Sequence, residues 1–430
     1  MNRYDSYKDS GVEWIGEIPT NWKSKRFSYS IDIQKGKIPK NLTDKKLVDS
    51  LPYLSMGVLR GDEPLEFSNE SGVVHVSKGD IGLLWDGSNS GEVIRINREG
   101  ILSSTVSLLS LKDDSIDKEF SFYLLKFYEN DFRENTIGMG IPHVSGDHVR
   151  ESKLIIPPLS EQQQIVSFLD TKTSLIDSLI EKTQRKIELL KEKRTSIINE
   201  VVTKGLNPNV EMRDSGVEWI GEIPIHWETG KLKNNSDLKI SSIDKHIFEE
   251  EIQVIVCNYT DVYYNEFITS ELPLRKGSCS ENEYSNFILK RGDVIITKDS
   301  ESPTDIGVPS LVKENLDNVV CGYHLSIIKS NPKKLVGGYL FRQLQTNRIR
   351  SYFEINSNGI TRFGLGKSSV LETPLILPPT SEQQQIVEYL DEQTQLIDKT
   401  ISIEEKRIEL LKEYRQSLIS EVVTGKRKVV

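Results

Sequence analysis

A chain of 430 residues and 49.0 kDa has the length for two to four ordinary domains with buried cores. Its 37% hydrophobic and 28% charged residues, with a mean hydropathy of −0.40, exclude a disordered or collagen-like chain; no run approaches the roughly 20 apolar residues of a membrane span, and Met1–Asp5 does not open an apolar leader, so a cytoplasmic protein is expected. A net charge of −9 excludes a uniformly basic nucleic-acid coat, and three cysteines without C-x-x-C spacing, Cys257, Cys279 and Cys321, read as core or surface thiols rather than a disulfide framework or zinc ribbon.

The first element is a tag, Asp9 through Trp22 (D-S-G-V-E-W-I-G-E-I-P-T-N-W). Behind it, Lys23, Lys25, Arg26, Lys35, Lys37, Lys40, Lys45 and Lys46 face only Asp32 and Asp44, a local charge of +6 in an acidic chain. Such a reversal suits phosphate, because each neutralised phosphate releases counterion. Short alternating runs at 79–85 (opening Gly79-Asp80) and 105–109 predict strands, and 120–130 predicts a helix. A loop, Gly138-Met139-Gly140-Ile141-Pro142-His143, can bring donors and acceptors to base edges.

Pro157-Pro158-Leu159-Ser160-Glu161-Gln162-Gln163 then announces a long helix over 160–203, with Ser160 and Gln163 spaced as a capping box. Its apolar seam is Ile165, Leu169, Ile176, Leu179, Ile187, Leu190, Ile197 and Val201. No proline or glycine interrupts it, and about 44 residues at a 1.5 Å rise make a rod of roughly 65 Å. Burial of that seam outweighs surface ion pairs, so the rod needs a partner.

The sequence then repeats itself. Asp214 through Trp227 copies the tag with only Ile225 and His226 changed. Strands are predicted again at 292–297 (opening Gly292-Asp293) and 325–328, a helix over 336–353, and a polar loop at Ser357-Asn358-Gly359-Ile360-Thr361-Arg362. From Lys329 to Lys367 eight basic residues, including Arg342, Arg348 and Arg362, face Glu354 alone, a local +7. Pro378-Pro379-Thr380-Ser381 opens a second helix over 381–424, with the seam Ile386, Leu390, Ile397, Ile408, Leu411, Leu418 and Val422. Between 157–203 and 378–424, 29 of 47 aligned positions are identical. The offset between copies grows from 205 at the tags to 221 at the helices, so the second variable region is 16 residues longer.

The resulting plan is α+β: two mixed α/β domains joined by two long antiparallel coiled-coil helices with pseudo-twofold symmetry. The expected segments are 1–156 with its tag 9–22, helix 157–204, a second domain 205–377 with its tag 214–227, and helix 378–430. Antiparallel rods return the C-terminus to the first tag. A centred register sets Lys172 opposite Arg415, two cations on one seam, which calls for a shifted register or stems that reach outward.

Catalytic constellations are missing from the pattern. Gly364-Leu365-Gly366-Lys367-Ser368 resembles the tail of a phosphate loop, but Thr361 stands where the first glycine belongs. There is no H-E-x-x-H or G-x-S-x-G, and the six histidines show no metal-ligand spacing. Glu404-Glu405-Lys406 has nuclease-like residue types but reads as a solvated helix face.

The paired tags, the paired P-P-x-S-E-Q-Q-Q-I-V segments and the helices closing on Glu-Val-Val-Thr together resemble the specificity subunit of type I restriction-modification systems over nearly the full length. That resemblance implies two target-recognition domains, each reading half of a split double-stranded DNA sequence, with the helices as a ruler. It implies no catalytic residue, metal or cofactor in this chain, and partners that carry them. Two adenine methyltransferase subunits would use S-adenosylmethionine and dock on the helices' outward faces, and restriction subunits would use ATP and Mg. Carried onto this sequence, the DNA-facing candidates are Lys35, Lys37, Lys40, Gly140, His143 and Ser145 in the first domain, and Lys298, Asn358, Thr361, Arg362 and Lys367 in the second. Trp14, Trp22, Trp219 and Trp227 are expected to anchor the tags against a helix end. A stand-alone DNA-binding or antirestriction scaffold of the same fold, and a coiled-coil adaptor that binds no DNA, stay open as alternatives.

Overall fold

The computed structural model describes residues 3–217, 220–244 and 246–429. Trp219 lies outside them. The chain forms two compact units, residues 1–184 with 406–430 and residues 185–405.

In the first unit, strands Ile31–Lys35, Val106–Leu111, Ile81–Leu84 and Val93–Arg95 form an antiparallel sheet in that spatial order. In the second, Ser236–Ile240, Leu325–Ser330, Val294–Thr297 and Pro309–Val312 repeat the order, and Phe267–Ile268 adds an edge strand parallel to the last. Each unit has a smaller sheet built around a parallel pair, Leu51–Leu54 with Gly100–Leu102 and Ile252–Cys257 with Val319–Cys321. The offset between equivalent strands steps from 205 to 213 to 219 before reaching 221, so the 16 extra residues are spread over several loops rather than forming one insertion. Cys257, Cys279 and Cys321 are buried in the second unit, the first and last as register neighbours of that parallel pair. Burial pushes the Cys257 thiol up, as expected of a core residue.

Each unit is closed by pairing the segment after the tag with the strand before the long helix: Lys23–Arg26 with Lys153–Ile156, and Glu228–Lys231 with Pro374–Leu377. The predicted helix at 120–130 extends over Lys118–Glu134, its aromatic face buried. The one predicted over 336–353 is two helices, Gly337–Leu344 and Asn347–Asn356, because Thr346 is extended (φ −68°, ψ 145°) and begins a new helix.

The long helices run Leu159–Lys204 and Thr380–Val423. Ser160 and Ser381 are not their caps, since both helices begin one residue earlier. The Pro158 carbonyl accepts from the N–H groups of Glu161 and Gln162. Sealing falls instead to two buried glutamines in equivalent places. Gln162 donates to the carbonyls of Pro157 and Ser115 and accepts from the Asp117 N–H. Gln383 donates to Pro378 and Lys334 and accepts from Val336. The tags lock onto the next position: Trp22 Nε1 donates to Glu161 at 3.1 Å and Trp227 Nε1 to Glu382 at 2.8 Å, with both indoles buried. Trp14 departs from the expected role; it is half exposed and packs on Phe127 and Tyr128.

In each unit, half of one long helix lies antiparallel to half of the other. Eleven of the fifteen seam residues are buried; Leu179, Leu190, Ile197 and Leu411 are half-buried. Arg415 faces Asp177 at 3.0 Å, five residues beyond the position that the centred register gives it, and the clash of cations never arises. Lys172 swings out over the Phe168 ring. Arg194 pairs with Asp398 at 2.8 Å in the second unit. Glu404 is not on a solvated face: it is 6% exposed and takes Lys186 at 2.5 Å. At the first unit's closure, the Tyr7 hydroxyl donates to the carbonyl of Gly425, where the returning C-terminal segment meets the first tag. No helix among the described residues is long and apolar enough to cross a membrane.

Candidate nucleic-acid interface

In both units an acid follows two residues after the end of the Gly-Asp strand and seven past its glycine: Asp86 after Gly79 and Asp299 after Gly292. Each acid pairs with the second strand of a small hairpin that carries the glycine loop. Asp86 bridges His143 in the hairpin Thr136–Ile137/His143–Val144, and Asp299 pairs with Gly364 in the hairpin Ser357–Asn358/Phe363–Leu365. Gly138 (φ +103°) and Gly359 (φ +151°) turn the two tips, in a region that a side chain would strain.

Asp86 is a clamp. Its carboxylate takes Lys35 Nζ at 2.8 Å on one oxygen and His143 Nδ1 at 2.6 Å on the other. Burial opposes its charged form, but Lys35 and His143 together hold the carboxyl below the usual carboxylate range. Lys35 ends its strand beside the hairpin, and Lys37 and Lys40 follow it, both exposed. Gly140 sits exposed at the tip. Ser145 has a structural role: its hydroxyl caps the helix Gly146–Glu151 by accepting from the His148 N–H.

Asp299 clamps different residues. It takes His324 Nδ1 at 2.5 Å, and the Arg362 guanidinium lies against that ring, 3.2 Å from Nδ1 and 3.4 Å from Nε2, covering it rather than donating to one nitrogen. Lys298 reaches toward both Asp299, at 3.9 Å, and the Tyr323 ring, at 5.7 Å. Thr361 and Asn358 are exposed on the same hairpin; Lys367 is exposed two residues beyond it, opening the short helix Lys367–Leu371. Lys35, Gly140 and His143 thus gather around one hairpin and its acid, and Lys298, Asn358, Thr361 and Arg362 around the other, whereas the Lys40 N–H is bonded to Glu70.

The basic segments shrink on folding. Arg342 is fully buried and bound to Asp391 at 2.8 Å and Thr394 at 3.0 Å, so it is not a DNA contact, and Arg348 donates to Thr203 on the long helix. Lys25 is tied to Asp113 at 2.5 Å. Asp86, Asp299 and His324 were not among the expected site residues. The shared seven-residue spacing from the Gly-Asp glycine to an acid was available to find the first two; His324 carries no such signal.

The sequence profile of the type I restriction modification DNA specificity domain matches this chain twice, over residues 19–189 and 225–413. The chain belongs to that family. It is 28% identical over 424 residues to the type I restriction enzyme MjaVIII specificity subunit of Methanocaldococcus jannaschii, covering 96% of this chain and 94% of that one. It is 22% identical over 312 residues to the EcoBI specificity subunit of Escherichia coli, covering 68% of this chain and 62% of that subunit. Two solved structures share the fold at 15% identity. A chain from a type I R-M system studied for complex assembly and conformational transition has a TM-score of 0.71, covering 95% of this chain and 99% of that one. The HsdS subunit of Thermoanaerobacter tengcongensis has 0.51, covering 95% and 98%. As a type I specificity subunit, the chain is a non-catalytic component.

Proposed function

We propose that this subunit reads a bipartite DNA target, one half-site per domain, and directs adenine methylation and restriction by partner subunits, with the long helices setting the gap. The observation that carries the reading is the repeated hairpin, anchored by an acid in the same place in both units yet armed with unlike residues: Lys35 and His143 in one, His324 and Arg362 in the other. A constant mount with variable contents suits two readers of different sequences. The exposed lysines 37, 40 and 367 supply phosphate contacts that position without specifying.

The partners are two methyltransferase subunits, which bring S-adenosylmethionine, and restriction subunits, which bring ATP and Mg, all in the cytoplasm. Apolar side chains left exposed on the long helices support a dock for them: Leu175 and Leu410 in the first unit, Leu189, Leu396 and Ile403 in the second. The test is co-purification with the methyltransferase followed by methyl transfer to duplex DNA. Transfer that requires this chain supports the reading; a chain that binds DNA but recruits no methyltransferase returns it to a stand-alone scaffold.

A further inference from the structure

The second unit has a cavity with an aromatic wall beside its hairpin. The helix Tyr259–Tyr264, the segment Asp299–Asp305 and the hairpin residues Thr361 and Arg362 enclose an open cavity of about 700 Å³. One wall is aromatic: Tyr259 stacks on Tyr263 with ring centres 5.7 Å apart, and Tyr264, 76% exposed, meets Tyr263 edge-on. The equivalent helix of the first unit, Met56–Arg60, holds no aromatic residue.

The rest of the lining is rich in acceptors. Asp299, Glu301 and Asp305 stand against one cation, Arg362. Asp299 is committed to His324, and Asp305 receives the Tyr263 hydroxyl on Oδ2. That bond holds the Tyr263 phenol up, and its hydroxyl donates to Asp305. A phosphate is repelled by three carboxylates, and a guanine edge, which offers O6 and N7 as acceptors, would find Arg362 and a few hydroxyls as donors but would face the same three carboxylates. Adenine and cytosine present an exocyclic amino group in the major groove, which is what a carboxylate accepts from, and the tyrosine rings form an apolar wall beside that edge.

We propose that this cavity reads an exocyclic amino group, N6 of adenine or N4 of cytosine, in the half-site taken by the second domain, with Asp305 and Glu301 as acceptors and Tyr263 positioning Asp305. The inference rests on the bipartite reading above. The experiment maps methylated motifs made by the complete complex of this chain with its methyltransferase, carrying wild type, Asp305→Asn, Glu301→Gln or Tyr263→Phe. One position of the second half-site is expected to relax, with the first half-site unchanged. On duplexes in which that base is replaced by purine or 2-pyrimidinone nucleotides, wild-type binding is expected to fall roughly five- to hundredfold, and Asp305→Asn to lose most of that sensitivity. Glu301, exposed at the rim, can be changed without disturbing the fold and keeps the test open if Asp305→Asn does not fold. Wild-type methylation of a two-part motif that no variant alters, or alters only in its first half, overturns this inference alone. A wild-type complex that methylates no two-part motif overturns both it and the reading beneath it.

Discussion

Asp170 on the first long helix and Asp391 on the second occupy the same place in the repeat, yet they hold different things. In the first unit Asp170 accepts the Tyr123 hydroxyl at 2.6 Å, with Thr173 3.3 Å from that oxygen; in the second, Asp391 and Thr394 take the Arg342 guanidinium at 2.8 and 3.0 Å. The repeat preserves the socket on the helix and lets the domain choose the plug. The same holds at the hairpins, where an acid stays and its basic partners change. Identical residues therefore mark the mount, and divergent ones mark what is mounted. This is why the long helices and tags are nearly copied while the domains share little beyond their topology.

The comparison can be broken most forcefully at the copied parts. Trp22→Ala and Trp227→Ala remove equivalent buried indoles and are each expected to cost about 3–5 kcal/mol, each confined to its own unit, as read by hydrogen exchange. Unequal costs would show that the two locks are alike only in outline. Next come the sockets. Asp391→Ala strands a buried guanidinium and is expected to cost about 3 kcal/mol, while Asp170→Ala removes a neutral donor's partner and is expected to cost about 1 kcal/mol. Denaturant unfolding of the two variants gives the order.

The plugs also differ in pH response. Burial, then the bond to Asp170, raises the Tyr123 hydroxyl to about 12. A raised group lends stability below its unfolded pKa, near 10 for tyrosine, and loses it as pH climbs through the folded value. The stability difference between wild type and Tyr123→Phe is thus expected to hold at neutral pH and shrink from about pH 10 upward. The Arg342 tie should not change over that range, because a guanidinium does not deprotonate there. The smallest expected effect is at the periphery: Lys37→Ala should lower the slope of log affinity against log salt by about 0.9, and Arg342→Met should leave it unchanged.

Much of the frame was legible in the sequence, because a seam of apolar residues every three to four positions, copied with 29 identities in 47, leaves few alternatives to a pair of long helices. Local detail was harder. The serines looked like caps, but a proline carbonyl and a buried glutamine do that work, and helix ends are decided by tertiary contacts that spacing does not encode. The register moved by five residues because Asp177 was there to receive Arg415. Charge counting failed for Arg342, whose partner lies 49 residues away in sequence. Asp86 and Asp299 went unseen for a related reason: both lie outside the counted basic segments, and their basic or aromatic-ring partners Lys35, His143 and His324 are brought to them from 25 to 57 residues away in sequence.

The most direct measurement is a genome-wide map of methylated adenines in cells with and without this chain beside its methyltransferase. A newly methylated motif of two unlike parts separated by a fixed gap is the expected result. Methylation that does not change with the chain present, or that falls on a continuous undivided sequence, would contradict a subunit built of two separate readers.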